Sequence, residues 1–145
     1  MLYATPPSSK YTNMATHPIR FNPLEHYWYL ATPYTKYEDG IEYAAVGAAI
    51  IAERYILEGI PVYSPIVHCH SIAMQGSIDA LDSAYWVAQQ APMMYNAYGL
   101  IVSNMKGWKE SAGVCAEIEY FEQALKPIIY ERGTYGMAPK VKEYL

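Results

Sequence analysis

The chain is poor in cysteine, in phenylalanine and in clustered positive charge. Its 2 cysteines, Cys69 and Cys115, are too few for a disulfide framework, and a reducing compartment fits them best. The net charge is −4 and no basic run exists, which argues against a nucleic acid polymer as partner. No apolar stretch is long enough to span a bilayer, and the run Tyr43 to Ile51 is broken by charges on both sides. Residues 1–26 lack the charged-then-apolar order of a secretory signal. Together these absences predict a cytoplasmic protein with no membrane partner.

What is present is the material of one domain. The 145 residues, 52% hydrophobic and 17% charged, can bury a substantial core. Tyrosine is in excess, 16 residues against 2 phenylalanines. Its apolar ring and polar tip suit subunit interfaces or stacking on a flat ligand, as well as ordinary core and surface positions.

Residues 1–26, with Pro6, Pro7, Ser8, Ser9, Pro18 and Pro23, read as a flexible arm or a wrap over a neighbouring subunit, with order beginning at His26. Residues 27–145 form the single domain. Tyr27 to Thr32 is a strand stopped by Pro33. Asp39 can cap a helix from Gly40 to Glu58, whose apolar residues follow helical spacing and which Gly59 ends. Ile60 to Ile66 is a second strand with prolines near its ends, followed by a loop carrying His68, Cys69 and His70. Asp79 to Gln89 is helical, with Pro92 marking a break or a new first turn. Leu100 to Asn104 is a short central strand, Ser111 to Leu125 a helix and Pro127 to Tyr130 a last strand. The tail from Glu131 reads as loop with at most one terminal turn. Strands alternating with helices imply an α/β domain with a parallel sheet of four to five strands covered on both faces. A ligand then belongs at the carboxyl ends of the strands, near the reversal of strand order.

Chemistry concentrates after the third strand, in Gly107 to Glu117. Ser111 is a natural N-cap, and most serines at helix starts do only that. Gly113 in the first turn costs roughly 1 kcal/mol against alanine, so a packing or ligand reason is plausible. Ser111 with the amides of Ala112 to Val114 can hold a phosphate or a sugar hydroxyl at the helix start. Glu117, four residues after Gly113, shares its face and leans back over the space glycine leaves. The competing reading is an exposed helix charge. His68 and His70 share a side if the strand continues, yet a third metal ligand is missing, so contacts to a ligand or loop packing fit better than zinc. Asp79 and Asp82 sit near a helix start, where they serve its dipole. Tyr29 and Tyr34 flank the end of the first strand.

These pieces resemble the nucleoside 2-deoxyribosyltransferase-like superfamily, which includes nucleoside 5′-monophosphate N-glycosidases, and within it a bacterial and phage family of unassigned function, DUF1937. The resemblance rests on Tyr29-Leu30-Ala31-Thr32-Pro33-Tyr34, on Ser64 to His70, and on Gly107 to Gly113 with Lys109, Ser111 and Ala112, followed by Glu117. It implies a flavodoxin/Rossmann-like three-layer sandwich. It also implies Glu117 as nucleophile, oriented by Tyr29, and Ser111 as a contact to a 5′-phosphate. Thr32, Pro33, Tyr34, His68 and His70 are expected to bind substrate. One position departs: an aspartate that usually assists at the base or sugar is Gln90 here, with Asp82 nearby. Glutamine can hydrogen-bond a base but cannot carry a proton, so another acid substitutes or activity is reduced or absent. The resemblance further implies a small-molecule nucleoside or nucleotide substrate, no metal or organic cofactor, and a homodimer or larger assembly that completes its own site. A non-catalytic nucleotide sensor, or a flavodoxin-like holder of another anion, are the alternatives.

Overall fold

The computed structural model describes residues 19–132, so most of the predicted arm and the tail from residue 133 lie outside it. Among these residues four strands are interleaved with four helices, two of them between the second and third strands: β1 (Trp28–Ala31), α1 (Ile41–Leu57), β2 (Val62–Tyr63), α2 (Pro65–Gln75), α3 (Ser83–Asn96), β3 (Gly99–Val102), α4 (Ala112–Gln123) and β4 (Ile128–Tyr130). All pairings are parallel, in the order β2-β1-β3-β4. This is the expected α/β sandwich, flavodoxin- or Rossmann-like in its layers. Among the described residues no helix is long and apolar enough to cross a membrane.

Every residue of β1 and β3 is buried, because helices cover both faces of the sheet. Alternation along the strands divides the core into two clusters. Trp28, Leu30, Ile101 and Ile129 meet Ile51, Ala52 and Tyr55 of α1. Tyr29, Ala31, Leu100 and Val102 meet Met94 of α3 and Val114 and Phe121 of α4 on the other face. Gly99, opposite Trp28 in the register, has a steric reason: a Cβ there would stand 2.5 Å from both the Trp28 ring and the Pro127 carbonyl oxygen.

The arm boundary predicted at residue 26 falls inside this packing. Phe21 is buried against His26, Trp28 and Tyr98, and the Tyr98 hydroxyl donates to the Ile19 carbonyl. An aromatic cluster thus orders a proline-bearing stretch with few aliphatics.

Helix boundaries follow local chemistry, in places against expectation. The N-cap of α1 is Gly40, at φ 95°, and it makes no side-chain cap bond, so Asp39 does not cap this helix. Its C-terminus is as foreseen: Gly59 at φ 77° sends its N–H to Ile56, while Ile60 bonds back to Tyr55. The predicted second strand shrinks to two residues, and the predicted His68-Cys69-His70 loop is helix α2. The reason is Ser64-Pro65: Ser64 Oγ accepts from the Val67 amide at 3.3 Å, and Pro65 fits the first helical turn. Helix α3 begins at Ser83 rather than Asp79 and runs through Pro92, which is exposed. The Ala88 carbonyl that loses its donor is on an exposed residue and can bond water. Strand β3 stops at Val102, two residues before its expected end. Lys126 closes the C-terminus of α3, its ammonium donating to the carbonyls of Met94, Tyr95 and Ala97. Burial pushes that lysine down to about 8.

Candidate active site

Strand β1 leads into α1 and β2 on one side, and the chain then returns to β3 on the other. The reversal leaves a crevice above the ends of β1 and β3, where side groups from several elements converge. A cavity of about 360 Å³ lies there, walled by the segment after β1, by α2, by α3 and by the first turns of α4.

Helix α4 supplies its acid. Ser111 is the N-cap, its Oγ accepting from the Val114 amide at 3.3 Å. First-turn amides have no partner within their helix, and this bond takes one of them, leaving those of Ala112 and Gly113 at the exposed mouth for a ligand. A Cβ on Gly113 would meet nothing nearer than Ser111 Oγ at 3.9 Å, so protein packing does not demand glycine. One turn further in, Glu117 lines the same cavity and is only 6% exposed. The solvated-charge reading of this glutamate therefore does not hold.

Just past β1, Thr32 lines the cavity, and its buried Oγ1 has no hydrogen-bond partner among the described residues. A buried polar atom left unpaired is costly, which makes it a place for a polar ligand atom. Tyr34 also lines the wall and lies 2.6 Å from Nδ1 of His70, the two rings meeting edge-on. Burial pushes the Tyr34 hydroxyl above its ordinary value.

Helix α2 sorts the histidines. Two residues apart on a helix, they diverge: His70 lines the cavity, while His68 is exposed beside Tyr63. Their shared-side geometry required a strand. Among the described residues no group of three or more metal-ligating side chains occurs. Cys69 lines the wall too, its thiol pushed up by burial and partly held down by the Gln90 amide, which donates to Sγ at 3.0 Å.

Helix α3 contributes Ser83, Trp86, Val87 and Gln90, a stripe at i, i+3, i+4 and i+7. Gln90 is buried, with Oε1 accepting from the Tyr29 hydroxyl at 2.7 Å. Tyr29 thus reaches the site through Gln90 from full burial in β1. Trp86 offers a flat apolar wall and is fixed by its indole N–H to the Asp79 carbonyl at 2.9 Å.

Three further candidates stand outside the wall. Asp82 is the N-cap of α3, accepting from the Tyr85 amide at 3.2 Å. Lys109 sits on a single 3-10 turn, Trp108–Glu110, exposed, with its ammonium over the Trp108 ring. Pro33 is buried and does not line the cavity. Conversely, sequence reasoning passed over Cys69, Ser83 and Trp86 as site residues. The α3 stripe was the signal that could have found the last two.

A parallel α/β sandwich with a cavity at its switch point and a buried acid on the wall is the class this geometry defines. Residues 26–132 match the family described as "Domain of unknown function (DUF1937)", and the chain belongs to that family. No curated protein matches the chain.

Proposed function

We propose that the protein cleaves the N-glycosidic bond of a nucleoside or deoxynucleoside 5′-monophosphate, with Glu117 as nucleophile. The observation that carries this reading is the burial of Glu117 in the cavity wall, one turn inside a helix start capped by Ser111. The resemblance to the deoxyribosyltransferase-like superfamily supplies the chemistry. The Ser111 turn holds the 5′-phosphate, fixing the far end of the substrate and turning binding into alignment of the reacting bond. Glu117 then attacks the anomeric carbon as it gains oxocarbenium character. Water releases the sugar phosphate, or a second base accepts the sugar. Trp86 provides a face for the base.

The test is a screen of common and modified nucleoside monophosphates for released base, with and without a second free base, and with Glu117→Ala as control. Release by the wild type and none by the variant supports the reading. A second reading, a nucleotide sensor without turnover, is favoured by Gln90, an amide where an acid would serve. Tight nucleotide binding with no release, unchanged in the variant, would select it.

The same reading includes a homodimer in a cytoplasmic setting. Tyr43, Val46, Ile50 and Leu57 are exposed along α1 at spacings of three, four and seven residues, an apolar stripe that a second copy would cover. Val46→Glu with Ile50→Glu should convert a dimer to a monomer in light scattering; a monomeric wild type would end this part of the proposal.

A further inference from the structure

Breaking the bond between sugar and base leaves an electron pair on the base, which departs readily only when protonated. Glu117, engaged at the sugar, does not supply that proton, and Gln90 has none to give. The Gln90 amide is also held in place, Oε1 by Tyr29 and Nε2 by Cys69. Cys69 and Tyr34 hold their own protons more firmly than usual because of burial. Among the described residues of the cavity wall this leaves His70, and imidazole is the side chain suited to exchanging protons near neutrality.

We propose that His70 is the general acid that protonates the departing base, an assignment that rests on the glycosidase reading. Its Nδ1 is engaged by Tyr34 at 2.6 Å. A tyrosine hydroxyl both donates and accepts, so it partners Nδ1 whether the ring is imidazolium or neutral. Nε2 is thereby left for the ligand, and the ring is oriented by a partner across the cavity rim. In the first step Glu117 forms a bond to the anomeric carbon while the carbon–nitrogen bond breaks. The electron pair goes to the base, and the imidazolium Nε2–H proton follows it. Neutral His70 then takes a proton from the water that attacks the anomeric carbon. Glu117 leaves as carboxylate and the imidazolium is restored. His68, one residue from Cys69 on the far side, has no part in this.

The experiment compares two substrates. One is the nucleoside monophosphate that releases base fastest; the other is 4-nitrophenyl 2-deoxyriboside 5′-phosphate, whose leaving group departs as a stable anion without a proton. His70→Gln should lose about a hundredfold or more in kcat/KM on the nucleotide, yet stay within about threefold in kcat/KM on the aryl substrate, because that ratio reads the first step, whereas the shared second step, in which His70 is the base, lowers kcat on both. His70→Asn, which still offers Tyr34 a polar partner, should behave alike. Equal loss of kcat/KM on both substrates in both variants, or no loss on either, overturns the proposal while leaving Glu117 chemistry intact. A wild type inactive on both substrates instead ends the glycosidase reading, and this assignment with it.

Discussion

The hydroxyl of Tyr29 donates to Oε1 of Gln90 across 2.7 Å, joining the central strand to the cavity wall on α3. That bond fixes which end of the amide is oxygen, and the opposite end donates to Cys69. A fully buried strand residue thus sets the orientation of a polar group on the cavity wall. Gln90→Leu removes both bonds from the interior and should destabilise the fold by about 1–3 kcal/mol in urea denaturation. Nucleotide affinity should fall with it, measured by calorimetry. Unchanged stability would show that the pair carries no load.

Glu117→Gln keeps the size and some hydrogen bonding of the side chain while removing its nucleophilicity. Base release should fall by about a thousandfold or more in kcat, with nucleotide affinity altered far less. Single-turnover chromatography of released base checks the first quantity and calorimetry the second. Parallel loss of binding and turnover would instead give Glu117 a ligand-holding role.

Gly99→Ala tests the contact between β1, β3 and the Pro127 segment. The new methyl would overlap both the Trp28 ring and a backbone carbonyl. Backbone cannot step aside as a flexible side chain can, so the cost should be about 1–3 kcal/mol or more, read as a lowered midpoint in thermal or urea unfolding.

Leu125 sits at φ 56° just after α4, a left-handed position where a side chain is strained. Its amide bonds to Glu122 and that of Lys126 to Phe121, the pattern usually closed by glycine. Since Leu125 is 76% exposed, little packing is lost on removing it. Leu125→Gly should raise stability by roughly 0.5–1 kcal/mol, visible as a higher Tm.

The two cysteines should label at different rates. Cys115 is exposed, whereas Cys69 is buried in the cavity wall with its thiol pushed up from 9.0. A raised value means that the thiol form persists at pH 7 to 8, so iodoacetamide should modify Cys69 slowly there and faster as pH rises. A bound nucleotide should slow it further. Peptide mass spectrometry resolves the two sites, and equal rates would contradict the burial.

Several elements could be read directly from the chain because local chemistry and tertiary packing agree there. The apolar run at Leu100, the spacing of α1 and the glycine after it each specify one structure. Ser111, Gly113 and Glu117 were legible as neighbours on one cavity wall because helical spacing alone puts the last two on one face. The segment from Ser64 to His70 was not. Its β-branched and aromatic neighbours suggested a strand, but a serine cap followed by proline starts a helix, and that helix separates the two histidines.

By itself, the sequence determined the alternation of strands and helices, the buried faces of β1 and β3, and the turn that carries the acid. These depend on contacts near in the chain, or on the simple need to hide apolar surface. Only the tertiary structure decided that Glu117 is buried, that Thr32 Oγ1 has no hydrogen-bond partner among the described residues, and that Tyr34 meets His70 while Tyr29 meets Gln90. Each of those depends on where separate elements come to rest. The strand order β2-β1-β3-β4 sets that placement by opening a crevice between two neighbouring strand ends.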